Sequence, residues 1–114
     1  MAIVVGHLST PEGEKALAAA EAEALQRQTR LVVISPGSGG EDVTQRLEAA
    51  SVEHVVVPGT GDLAEDLVRE ALEAQAELIV IGLRRRSPVG KLILGSGAQR
   101  ILLEAPCPVL AVKP

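Results

Sequence analysis

The chain has no phenylalanine, tyrosine or tryptophan, a single cysteine, a single methionine and two histidines. Without aromatic rings it offers no platform on which an unpaired base could stack, which argues against single-stranded nucleic acid as a partner. The formal net charge of −4 points the same way, because a nucleic-acid surface is ordinarily basic. The lone Cys107 excludes an internal disulfide and a cysteine cluster for metal. With only His7 and His54 beside it, a zinc site lacks ligands. Cys107 itself, in Ala105-Pro106-Cys107-Pro108, reads as a buried small hydrophobe rather than a reactive thiol. No apolar run is long enough to span a bilayer, and the opening Met1-Ala2-Ile3-Val4-Val5-Gly6 has no basic leader. The expectation is a cytoplasmic protein with no membrane and no nucleic-acid partner.

What the chain does have is a large aliphatic content. Hydrophobic residues make up 46% of 114 residues, enough for one core and one domain over residues 1–114. Ile3–Val5, Leu31–Ile34, Val55–Val57, Leu78–Ile81 and Val109–Val112 are continuous apolar runs, as expected of parallel strands covered on both faces. Amphipathic stretches between them give alternating strands and helices, hence an α/β three-layer sandwich with right-handed crossovers. The first helix starts either with Ser9 and Glu12 as a capping box or with Thr10 as cap and Pro11 at the first position. Leu17, Ala20, Ala24 and Leu25 form its apolar face. A short second helix is expected over about Glu41 to Ala50, after the glycine-rich Pro36–Gly40 turn. Asp62 with Glu65 caps a third, whose core face is Leu67, Val68, Ala71 and Leu72. Ser96 with Gln99 caps the last, which Pro106 stops. The apolar run Val109–Val112 near the end of the chain suits a sheet edge, and an exposed edge invites pairing with a second copy. The partner expected on this ground is a homodimer; the other reading is an edge protected by its flanking prolines and Lys113.

The segment between the fourth strand and the last helix carries the chemistry. It runs from Gly82 through Arg84-Arg85-Arg86 to Gly95-Ser96-Gly97. A strand, a basic loop and a helix start make an anion site, since helix N-termini leave backbone N–H groups unpaired. Two quieter readings stand beside it: the arginines as a solvated charge run, and Gly95-Ser96-Gly97 as a helix cap only. Gly90-Lys91 does not complete a phosphate-binding P-loop, because residue 85 is Arg where its first glycine belongs and Leu92 replaces the hydroxyl.

These features resemble the universal stress protein family over nearly the whole chain. The resemblance is clearest in IVIGLRRRSPVGKLILGSGAQRILLEAPCPVLAV, with support from IVVGHLSTPEGEKAL and from Gly61-Asp62-Leu63-Ala64. It implies a Rossmann-like, adenine nucleotide alpha hydrolase-like fold with a five-stranded parallel sheet in the order 3-2-1-4-5. A ligand would sit in the crevice at the carboxyl ends of strands 1 and 4. The signature Gly-x2-Gly-x9-Gly-Ser/Thr of ATP-binding members aligns here as Gly82-x2-Arg85-x9-Gly95-Ser96, with arginine at the middle glycine. The family's nucleoside-contacting aspartate, near the end of strand 1, matches best at His7. The expected nucleotide- or anion-binding set is therefore His7, Ser9, Gly82, Arg84, Arg85, Gly95, Ser96 and Gly97, for ATP or another adenine nucleotide. No acidic residue between Gly82 and Gly97 suits Mg²⁺, so no catalytic or metal residue is assigned. The resemblance leaves two alternatives open. One is an interaction module in which Arg85 and His7 fill the vacated site; the other is a small enzyme of phosphate chemistry.

Overall fold

The computed structural model describes residues 1–35, 37, 40–84 and 94–114. The strands are β1 (Ala2–Gly6), β2 (Arg30–Ser35), β3 (His54–Pro58), β4 (Leu78–Gly82) and β5 (Val109–Val112). The helices are α1 (Pro11–Arg27), α2 (Gly40–Ala49), α3 (Leu63–Glu73) and α4 (Ser96–Glu104). All strand pairings are parallel, in the order β3-β2-β1-β4-β5.

Alternation along each strand builds two cores. Ile3 and Val5 of β1, Leu31 and Val33 of β2, and Leu78 and Val80 of β4 face α1 and α2, meeting Leu17, Ala20, Val43 and Leu47. Ala2 and Val4, Val32 and Ile34, and Ile79 and Ile81 face α3 and α4, meeting Leu67, Ala71 and Ile101. Successive strand residues point to opposite faces, so central strands must be apolar at every position. Chain direction sets the helix faces. The crossovers from β1 to β3 step one way across the sheet, and those from β3 to β5 step the other. Right-handed connections then place the two helix pairs on opposite sides.

Continuous burial holds for β1, for β2 after Arg30 and for β4 as far as Ile81, but not for the edges. Along β3 and β5 every position is half-buried or exposed, with Val55 42% and Leu110 36% exposed. An edge strand extends beyond the helices that cover the sheet centre, so part of its apolar surface stays in water. Leu25 and Leu72, expected on helix core faces, are likewise exposed, at 50% and 60%. The buried stripe of α1 keeps the expected Leu17, Ala20 and Ala24 and adds Gly13 and Ala16 in place of Leu25. On α3, Asp66 takes a buried place that the periodicity does not reveal.

The caps resolve the sequence alternatives. Thr10 is the N-cap of α1, its Oγ1 accepting from Gly13 N at 3.1 Å with Pro11 in the first turn. Asp62 caps α3, accepting from Glu65 N at 3.1 Å. Ser96 does not cap α4. Gly95 holds the extended N-cap conformation and Ser96 is already helical. Gln99 Nε2 donates to Leu94 O at 3.0 Å instead. Cys107 is half-buried against the α3–α4 core, and desolvation raises its thiol pKa. Among the described residues no helix is long and apolar enough to cross a membrane.

Candidate functional site

β1 and β4 are neighbours whose connections leave in opposite directions, so no helix covers the gap between their carboxyl ends. A cavity of about 310 Å³ lies there, at the lower end of the roughly 300–1,000 Å³ of small-molecule sites. Its floor is Gly6, Val80, Ile81 and Gly82. Leu8, Glu12 and Gly13 come from the start of α1 and the turn before it, Leu63, Ala64 and Leu67 from α3, and Gly95, Gly97, Ala98 and Ile101 from the start of α4. Leu83 and Arg84 follow β4. Apart from Glu12 and Arg84, every described lining residue is glycine or apolar.

Three of the glycines are there because the elements approach closely. A β-carbon on Gly82 would overlap the Glu12 carbonyl oxygen, and one on Gly13 would overlap that of Leu8. One on Gly6 would lie 2.7 Å from Leu63 Cδ1. Gly82 thus allows β4 to pass under the first turn of α1, a packing demand that the signature alone does not reveal. Gly97 differs: a β-carbon there would meet nothing within 4 Å. It opens space rather than permitting a contact.

Of the expected site residues, Gly82, Arg84, Gly95 and Gly97 converge on the cavity. Ser96 lies in the first turn of α4, exposed, and is not among the lining residues. Arg85 lies outside the described residues. Ser9 is exposed beside the α1 cap, away from the lining set. His7 is turned to another task. Its Nε2 lies 3.4 Å from Glu14 Oε1, while Arg46 bridges Glu14 at 3.0 Å and Glu21 at 3.2 Å. This network joins the β1–α1 turn to α2. The neighbour Leu8, not His7, meets the cavity from that turn.

The start of α4 at the cavity edge has no side-chain cap, in contrast to α1 and α3. Its first N–H groups remain available to an anion. Arg100, one turn further, is committed elsewhere: Nη1 binds Asp62 Oδ2 and Nε binds Glu104 Oε2, each at 3.0 Å. The Glu65 N–H bond and the Arg100 guanidinium hold the Asp62 pKa below the usual carboxylate value. Arg84 is therefore the cation that the described structure leaves at the cavity. Among the described residues no group of three or more His, Cys, Asp or Glu could hold a metal ion. Sequence reasoning missed Leu8, Glu12, Leu63 and Ala98. Only the helical register and the β1–α1 turn bring them in, although Glu12 was singled out as a capping-box candidate.

Comparison with known proteins fits this geometry. A protein of Mycolicibacterium smegmatis named universal stress protein is 44% identical, covering 98% of this chain and 97% of the relative. The structure of a universal stress protein from Archaeoglobus fulgidus superposes with a TM-score of 0.78 at 31% identity, covering 99% of this chain and 98% of that one. A second structure, of the universal stress protein from Archaeoglobus fulgidus in complex with dAMP, superposes with a TM-score of 0.72 at 27% identity, over 99% and 98% of the two chains. The model of the universal stress protein family matches residues 12–113. With that match and a 44% identical relative along nearly its full length, the chain belongs to the universal stress protein family.

Proposed function

We propose that the crevice between β1 and β4 binds an adenine nucleotide and that the protein acts by binding rather than by turnover. The observation that carries this is the uncapped start of α4 beside Arg84, at the rim of a cavity whose described lining is apolar or glycine apart from Arg84 and Glu12. Backbone N–H groups and a guanidinium suit a phosphate, and the aliphatic wall of Leu8, Leu63, Leu67 and Ile101 suits the faces of a base. The dAMP complex of the Archaeoglobus fulgidus relative supports the same ligand class. In this reading the phosphate meets Gly95, Ser96 and Gly97, and Arg84 neutralises its charge.

We further propose that the protein is a homodimer through β5. Among the described residues that strand has one strand neighbour, β4, and Leu110 is partly exposed on it. Leu103, 85% exposed near the end of α4, adds apolar surface in the same C-terminal segment.

Calorimetric titration with AMP, ADP and ATP tests the nucleotide reading. Heat of binding to at least one, with phosphate release at background level, is the expected result. Because the chain has no aromatic residue, nucleotide carried through purification also shows directly as absorbance in the nucleobase band. Protein free of nucleotide that takes up none of the three overturns the reading.

A further inference from the structure

Glu12 and Arg84 are the charged residues among the described residues lining the crevice, and both also line a neighbouring depression formed with Pro11, Lys15, Leu83 and Pro114. Neither forms an ion pair among the described residues, whereas Glu14, the other acid in the first turn of α1, is engaged by His7 and Arg46. A first-turn acid ordinarily serves the helix dipole. Glu12 does that too, but it stands where the glycine at position 82 brings β4 against the helix, at the wall of the cavity.

We infer that Glu12 is the residue that selects for a sugar: its carboxylate accepts hydrogen bonds from the ribose hydroxyls of the bound nucleotide. This rests on the nucleotide reading above and assigns the role to a residue outside the phosphate-binding set. Ionised carboxylate only accepts, so it requires a donor on the ligand. Like charge keeps a phosphate away from it and toward the start of α4 and Arg84. That leaves the hydroxyl-bearing middle of the nucleotide opposite Glu12. No other described lining side chain carries an acceptor, and Leu8 at the turn after β1 cannot supply one.

The experiment compares AMP with 2′,3′-dideoxy-AMP by calorimetry, on the wild-type protein and on the Glu12→Ala and Glu12→Gln variants. Thermal melts in parallel report folding. Wild type is expected to prefer AMP by about 10- to 100-fold, the range of a hydrogen bond to a charged group. Glu12→Ala should erase that preference, with dideoxy-AMP binding at least as tightly as to wild type because a negative charge near its phosphate is gone. Glu12→Gln, which keeps an acceptor oxygen, should restore part of it. Equal wild-type affinity for the two ligands overturns the proposal and leaves nucleotide binding standing. So does a preference that survives in Glu12→Ala. A Glu12-dependent preference for AMP over inosine monophosphate, with none over dideoxy-AMP, assigns the carboxylate to the base and also overturns it. If wild type binds none of these nucleotides, the nucleotide reading itself fails and this inference with it.

Discussion

The carbonyl oxygen of Glu12 occupies the space that a β-carbon at Gly82 would need. The contact ties the carboxyl end of β4 to the first turn of α1, the two elements that frame one side of the crevice. Backbone cannot move aside as a flexible side chain can. Gly82→Ala is therefore expected to destabilise the protein by about 3 kcal/mol, the upper part of the overpacking range. That corresponds to a fall in Tm of roughly 10 °C. Far-UV circular dichroism is the measurement, since the chain has no aromatic fluorophore. An unchanged Tm would contradict the contact.

Gly97 separates binding from folding. Its β-carbon direction is open and its φ is not in the left-handed region. Gly97→Val should leave stability within about 1 kcal/mol of wild type. The added side chain takes cavity space, so AMP affinity should fall by at least about 10-fold if the ligand lies against the start of α4. Full affinity in a folded variant would place the ligand elsewhere.

Arg84 is expected to act on the phosphate alone. Arg84→Ala should weaken AMP by about 10-fold or more, in line with loss of a charge-assisted hydrogen bond, and leave adenosine binding unchanged. Equal losses for nucleotide and nucleoside would assign Arg84 to the sugar or base. Added salt should weaken AMP binding to wild type more than to the variant.

Asp66 makes stability depend on acid pH. It is 1% exposed, and burial alone would raise its pKa. Hydrogen bonds from Thr60 N at 2.8 Å and Thr60 Oγ1 at 2.7 Å, with Arg69 at 2.8 Å, outweigh that and lower it. The unfolded value is about 3.9. A folded pKa below this contributes stability that is fully present above the unfolded pKa and is lost as pH falls through the folded one. Asp66→Asn should cost about 1–3 kcal/mol at pH 7. The gap in Tm between variant and wild type should stay constant down to about pH 5 and narrow below about pH 4. A gap independent of pH would show that the carboxylate charge contributes nothing.

If β5 is the dimer edge, a charge on it should separate the copies. Wild type is expected to scatter light as a dimer and Leu110→Asp as a folded monomer. Wild type at monomer mass across concentrations would remove the dimer proposal.

Much of the fold was legible because β1, β2 and β4 are buried on both faces, which forces β-branched and aliphatic residues at consecutive positions. The edge strands carry the same residue types, so Val55 and Leu110 gave no sign of their exposure. Leu25 and Leu72 misled for a related reason. Helical periodicity marks residues able to pack, but the edge of the opposing sheet decides which of them are covered. At the site, Gly82, Arg84, Gly95 and Gly97 were found by their spacing around a strand and a helix start. His7 and Leu8 could not be ranked that way, because they lie in an irregular turn where neither strand nor helix periodicity assigns a face.

The sequence by itself determined the family, the alternation of strands and helices, and the place of the crevice, since these follow from apolar runs, caps and spaced glycines that act over short stretches of chain. Only the tertiary structure decided which side chains meet inside that crevice. Glu12 and Arg84 are 72 positions apart in sequence, and they share a cavity because Gly82 lets β4 pass against the backbone of α1. Close approach of two backbones depends on the absence of a single β-carbon and on the register of both elements, and neither is written in local pattern.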